Sequence, residues 1–329
     1  MTKTMTRTCV LMVGHGSRRP EAVAEFCALA REVAAAVAWP VQTCFLELAD
    51  PDLATGLETA ARTVGAGGQV LVAPMFLGAA NHEKNDLPSA IQWARQQSSG
   101  VTFRYATPLG PHAYLVDLLD MRVRQALTAA AALPAEETAV VVVGRGSSDP
   151  DSNSEVARVA HLLFERRPYW LVTYAFQAVA RPTMEEALRH CLALRIPQVM
   201  LAPYVLFTGR VYEDILAAAE SGRAAGMRVL TAKYLAPHPH LVAIVRQRLT
   251  EALDGQACMT CDLCKYRLPM AGYEHQVGEA QHTHHLHGGS HGHHHVHHAE
   301  HHHPAEAAPG GEPALQDDHH THPEGAASG

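Results

Sequence analysis

An α/β fold built twice is what the sequence predicts, and three observations predict it. The apolar stretches are short continuous runs: VLMV at 10–13, QVLVAPMF at 69–76, AVVVV at 139–143 and QVMLAPYVLF at 198–207. Such runs suit strands buried on both faces of a parallel sheet. They alternate with Ala-rich segments of amphipathic spacing, such as PEAVAEFCALAREVAAAV at 20–37, which suit helices laid over that sheet. Finally, four blocks recur in the same order, residues 10–26 with 140–159, 43–62 with 173–192, 72–91 with 201–220, and 103–127 with 228–253. A repeat of that length marks two copies of one architecture.

Each copy therefore reads as four strand–helix pairs. In the first, the opening strand runs into VGHGSRRP, where glycines permit a tight turn, Ser17 is placed to cap the next helix and Pro20 falls in its first turn. The second strand ends in FLELADP at 45–51, the third in FLGAANHEKNDLP at 76–88 and the fourth in TPLGPH at 107–112. The second copy answers with VGRGSSDP, FQAVARP, YVLFTGR and YLAPHPH. The segment TAAAALPAEET at 128–138 reads as a linker, dividing a first half at 1–128 from a second half at 139–255. A Cys-rich segment at 256–274 and a tail at 275–329 follow. In open α/β sheets ligands bind beyond the carboxyl ends of the strands, so the four strand-end segments mark the expected site.

Composition bounds the function. The length of 329 residues suits about two domains, and no apolar run approaches the ~20 residues of a membrane span. The amino terminus flows straight from an apolar run into a Gly-rich turn, the reading of a first strand rather than a secretion signal, so a cytoplasmic location is expected. The net charge of −7 sits entirely in the tail. Residues 1–257 carry 24 basic and 24 acidic side chains, leaving 2 basic and 9 acidic beyond them. No basic stripe points to nucleic acid, and neither a P-loop nor a dinucleotide fingerprint points to a nucleotide. Cys9, Cys27, Cys44 and Cys191 lie in apolar context and read as buried thiols.

Three side chains carry candidate chemistry. His15 sits between two glycines at the end of the first strand, and His82 follows the third. Parallel neighbours are ~5 Å apart, so two such histidines can converge on one divalent metal, which imidazole suits. Glu47 offers a carboxylate from another strand end, as a ligand or a proton acceptor. The second half lacks the set: Arg145 stands for His15, Ala178 for Glu47 and, with a one-residue gap, Arg210 for His82. Arginines suit carboxylates. His112 and His238 occur in both halves, in GPH and APH, and read as structural.

The segments HGSR at 15–18, FLELADP and FLGAANHEKNDLP resemble the CbiX-type sirohydrochlorin chelatases in their long, fused form. The family's third motif, Gly-x-His-x-x-x-Asp-Ile-Pro, stands here as Ala80-Asn81-His82-Glu83-Lys84-Asn85-Asp86-Leu87-Pro88. The resemblance covers residues 8–264. It implies two chelatase-like parallel sheets flanked by helices, and insertion of Co(II) into sirohydrochlorin on the early-cobalt route to cobalamin. Iron insertion, for sirohaem, and nickel insertion are the alternatives. His15 and His82 match the family's metal-binding and catalytic histidines, with Glu47 beside them. Ser17, Arg18, Arg145 and Arg210 are candidates for holding the substrate's carboxylates.

Two features extend past the repeat. Cys258, Cys261 and Cys264 fall in CMTCDLCKYR, a spacing for a thiolate-held cluster or soft metal. The family's Met-x-Cys-x-x-Cys motif, matched by Met259, Cys261 and Cys264, implies a 4Fe–4S cluster; a zinc or cobalt site or free thiols are the alternatives. Sharing of the cluster between chains makes a homodimer, and otherwise a monomer suffices. Residues 275–322 hold 17 of the 24 histidines, among them His284, His285, His293, His294, His295, His297, His298, His301, His302 and His303. Low apolar content predicts a disordered tail that stores or delivers metal. A non-enzymatic metal store is thus the reading of another class; it accounts for the tail but not for the duplicated core.

Overall fold

Every apolar run named above contributes a strand, the two longer ones only as far as Pro74 and Pro203, in the computed structural model, which describes residues 6–257, 275, 277 and 278. The first half comprises β1 (Thr8–Gly14), α1 (Pro20–Ala36), β2 (Val41–Phe45), α2 (Leu53–Val64), β3 (Gln69–Pro74), α3 (Leu87–Gln97), β4 (Thr102–Tyr105) and α4 (Ala113–Ala129). A π-helical turn, His82–Asp86, precedes α3. A short 3-10 turn, Ala135–Glu137, leads into the second half. There follow β5 (Thr138–Gly144), α5 (Pro150–Phe164), β6 (Leu171–Phe176), α6 (Met184–Ala193), β7 (Gln198–Pro203), α7 (Arg210–Ala224), β8 (Val229–Thr231) and α8 (Pro239–Leu253).

All pairings are parallel, in orders β2-β1-β3-β4 and β6-β5-β7-β8. The chain leaves β1 towards β2 on one side and returns to β3 on the other. The loops after β1 and β3 therefore diverge, and such a switch point opens a crevice at the strands' carboxyl ends. His15 and His82 follow those two strands.

The strands alternate their side chains between layers. Val10, Met12, Leu71 and Ala73 face a central core shared with Val140, Val142, Met200 and Ala202 of the second sheet, and α1, α4, α5 and α8 fill it. Cys9, Leu11, Val13, Val70 and Val72 face α2 and α3 on the outer side, and α6 and α7 cover the outer face of the second sheet. Burial on both faces is why these strands read as unbroken apolar runs.

The terminal helices of the two halves are exchanged. α4 packs on β7 and β8, while α8 packs on β3 and β4. Arg122 of α4 donates to the carbonyls of Leu235 and Pro237, and Arg104 of β4 donates to those of Ala252 and Leu253. Phe26 packs at a tilt on Phe45 of its own half and meets Phe207 of the other edge-on. The exchange makes the two repeats one folding body, because neither half buries its sheet without the other's last helix.

The expected cap at Ser17 is corrected. Arg19 occupies the N-cap of α1 and no side chain caps it. Ser17 Oγ instead accepts from the Arg19 amide at 3.0 Å, folding the turn ahead of the helix. Pro20 does occupy the first turn, where its missing N–H costs nothing. His112 and His238 cap α4 and α8 through their ring nitrogens, each accepting from an amide two residues on. That is the structural role their presence in both halves suggested. No described helix is long and apolar enough to cross a membrane.

Candidate active site

The turn after β1 is shaped by a close backbone approach. The amide of Glu47 donates to the carbonyl of His15 at 3.0 Å, extending the β1–β2 pairing past the sheet. Gly16, at φ +94°, lies so tightly under that segment that a Cβ there would stand 1.7 Å from the Glu47 carbonyl oxygen. The result places His15 beside Glu47, with Nδ1 to Oε1 at 3.4 Å. Leu48 follows in a left-handed conformation, φ +62°, with its side chain exposed.

His82 arrives from the π-helical turn after β3. Its ring lies edge-on to that of His15, centroids 4.9 Å apart. Nδ1 stands 2.8 Å from Oδ2 of Asp86, whose side chain is buried. A carboxylate accepts, so this contact has Nδ1 donating and turns Nε2, the ring's other nitrogen, away from Asp86. This is the i,i+4 spacing of one helical face, legible in the His-x-x-x-Asp motif.

His15, Glu47 and His82 are thus brought together from three strand ends. Among the described residues no three such side chains yet form a closed ligand set. Burial lowers the pKa of His15 below its ordinary 6.5, His82 and Arg145 lower it further, and Glu47 opposes them. Neutral imidazole is the ligating form.

The second half reproduces the frame without the ligands. The Ala178 amide donates to the Arg145 carbonyl at 3.0 Å, and a Cβ on Gly146 would stand 1.9 Å from the Ala178 oxygen. Ala178 therefore occupies the place of Glu47, and Val179, at φ +66° and exposed, that of Leu48. Arg145 is exposed, with its charge felt at His15. Arg210 pairs with Asp214 at i,i+4, repeating the His82–Asp86 geometry with an arginine. Arg18 is exposed; no contact ties it to the histidines. Cys258, Cys261 and Cys264 lie outside the described residues, as do His284, His285, His293, His294, His295, His297, His298, His301, His302 and His303.

One cluster escaped sequence reasoning. Lys84, on the His82 turn, is buried and bonds Oδ2 of Asp149 at 3.0 Å and of Asp151 at 2.8 Å. Burial alone would favour discharge of the ammonium; the two carboxylates outweigh it and raise its pKa. Glu83 and Glu155 are buried beside it. Burial, with mutual repulsion, pushes Glu83 well above the usual carboxylate range, and burial pushes Glu155 up to about 7. Nothing in NHEKND or SSDPDSN signals that these charges meet; only the fold joins them.

The profile of the CbiX family matches residues 9–126 and 139–252. The chain is 36% identical over 264 residues to a sirohydrochlorin cobaltochelatase of Priestia megaterium, covering 79% of this chain and 84% of that protein. It is 30% identical over 246 residues to a sirohydrochlorin ferrochelatase of Bacillus subtilis, covering 74% and 92%. A solved structure of SirB from Bacillus subtilis with Fe3+ superposes with a TM-score of 0.67 at 29% identity, over 77% of this chain and 99% of that one.

Proposed function

The chain belongs to the CbiX family, and from that premise we propose that it is a metal chelatase inserting Co(II) into sirohydrochlorin. The observation that carries the reading is the convergence of His15, His82 and Glu47 at the switch point of the first sheet. Insertion requires a divalent ion held with few ligands, a macrocycle laid over it, and acceptors for the two pyrrole protons. Neutral His15 and the Nε2 of His82 hold the ion by its soft side. The Glu47 carboxylate, too far from His15 for a good hydrogen bond, is free to ligate or to take a proton.

The surroundings suit a flat, carboxylate-rich ring. Leu48 and Val179 hold apolar side chains in solvent at left-handed backbone angles. Such a conformation costs about 1–3 kcal/mol each, and its recurrence beside both strand-end turns gives the macrocycle an apolar surface. Arg145 and Arg210, with Arg18 and the Ser17 turn, supply donors for its carboxylates.

Two things favour cobalt over iron. The relative named for cobalt is 36% identical and the one named for iron 30%. The imidazoles of the His-rich tail bind later first-row divalent ions more tightly than iron, though nickel and copper more tightly than cobalt, which suits a reserve that feeds the site. The Cys258, Cys261 and Cys264 spacing supports a thiolate-held cluster, and insertion needs no step through it. The test is an anaerobic assay with sirohydrochlorin and Co(II), Fe(II) or Ni(II) in turn. The expected result is fastest formation of the cobalt product, retained when residues 275–329 are deleted. Faster iron insertion makes the protein a ferrochelatase. Loss of all metal handling with the tail makes it a metal store.

A further inference from the structure

The turn carrying His82 is held by the other half of the molecule. Lys84, two residues on, reaches Asp149 and Asp151 at the start of α5, and all three side chains are no more than 6% exposed. The Ala79 amide, just before the turn, donates to Glu155 Oε2 at 3.0 Å. The second half's loop is held reciprocally. The Thr208 amide donates to Glu25 Oε2 at 3.0 Å, and Glu213 bonds Arg19 at 2.7 Å. Asp149 and Arg19 are the equivalent N-cap residues of α5 and α1, so the two clasps place opposite charges at equivalent helix starts.

They differ in burial. The Arg19–Glu213 pair is 55% and 44% exposed, and exposed ion pairs constrain little. The Lys84 clasp is dry, and a buried ammonium that loses its partners is costly, so its geometry is enforced. The enforced clasp holds the loop with the histidine, and the loose one holds the loop without. The charge reversal also sets which half faces which: matching two first halves would turn Lys84 towards an arginine.

Resting on the chelatase reading, we propose that Lys84, Asp149 and Asp151 are positioning residues that set His82 against His15. The half without metal-binding histidines then dictates the geometry of the metal site. Asp86 pins the ring, Lys84 pins the turn beneath it, and a displacement of ~1 Å at a reacting centre costs up to ~100-fold in rate.

The test is the full-length triple variant Lys84→Met/Asp149→Asn/Asp151→Asn, compared with Arg19→Gln/Glu213→Gln. The triple variant removes the ammonium together with both of its carboxylate partners, and asparagine still caps α5. Three properties are read: the melting temperature, the d–d absorption spectrum with Co(II) alone, and kcat for insertion. The expected result is a melting temperature near wild type in both variants, with an altered cobalt spectrum and a kcat lowered ~10- to 100-fold only in the triple. A wild-type spectrum and kcat in the triple, or an equal loss in the Arg19/Glu213 variant, overturns the proposal. If the triple does not fold, Asp151→Asn alone is read the same way. The cobalt spectrum needs no tetrapyrrole, so a wild-type chain that inserts no metal rejects the chelatase reading and still leaves the clasp decided.

Discussion

Alanine at His15 or at His82 is expected to lower insertion at least ~100-fold, and alanine at both to abolish it. In the proposed mechanism each ring ligates the metal and becomes a proton acceptor as the metal leaves it, and loss of a positioned acid–base group alone accounts for 10²–10⁴ in rate. Because neither ring is part of the core, the variants fold and melt as the wild type does. Binding of sirohydrochlorin, followed by quenching of its fluorescence, persists. The pH profile gives a second signature. Only the neutral imidazole ligates, and burial, with His82 and Arg145 beside it, lowers the pKa of His15. The acid limb that His15 contributes therefore lies at lower pH than an ordinary imidazole would give. Arg145→Gln removes one lowering charge and moves that acid limb upward. An acid limb unmoved by Arg145→Gln contradicts the placement of Arg145 beside His15.

Gly16→Ala is expected to damage both fold and site. The added Cβ meets the Glu47 carbonyl oxygen at 1.7 Å, and φ +94° is strained for any L side chain. The backbone that yields is the one carrying Glu47, because its neighbour His15 continues from a fully buried strand. Strain and overpacking together cost about 2–6 kcal/mol, a fall of roughly 5–20 °C in melting temperature. Gly146→Ala, with its Cβ 1.9 Å from the Ala178 oxygen, is the matched comparison. It costs similar stability, but no ligand moves. Gly16→Ala is expected to weaken cobalt binding at least tenfold and Gly146→Ala to leave it within about twofold, measured by titration of metal-free protein. Equal weakening in both contradicts a metal site confined to the first half.

The sequence made the repeat, the strands and the metal-binding candidates legible, because burial on two faces forces continuous apolar runs and because strand-end turns need glycine. Matching Phe45 to Phe176 correctly set Ala178 against Glu47, since the same glycine–carbonyl contact occurs in both halves. The His82–Asp86 pair was visible as a spacing. What could not be read depends on distant segments meeting. Lys84 looks like a solvated loop charge in NHEKND, and Asp149 and Asp151 look like helix-start acids. Nothing local says that 65 residues of intervening chain fold them into one dry cluster. The exchange of α4 and α8 is equally silent, because an amphipathic helix presents the same pattern whichever sheet it covers. Ser17 was misjudged by two residues, since its hydroxyl serves the Arg19 amide and not the helix.

The measurement that bears most directly on the account is anomalous X-ray scattering at the cobalt edge from crystals of the chain cut back to residues 1–257, without the Cys-rich segment and the tail, loaded with Co(II). The account predicts one strong peak between His15, His82 and Glu47 and none at the equivalent place near Arg145, Ala178 and Arg210. A peak in the second half's turn, or none at His15 and His82 while the chain still inserts cobalt, contradicts it.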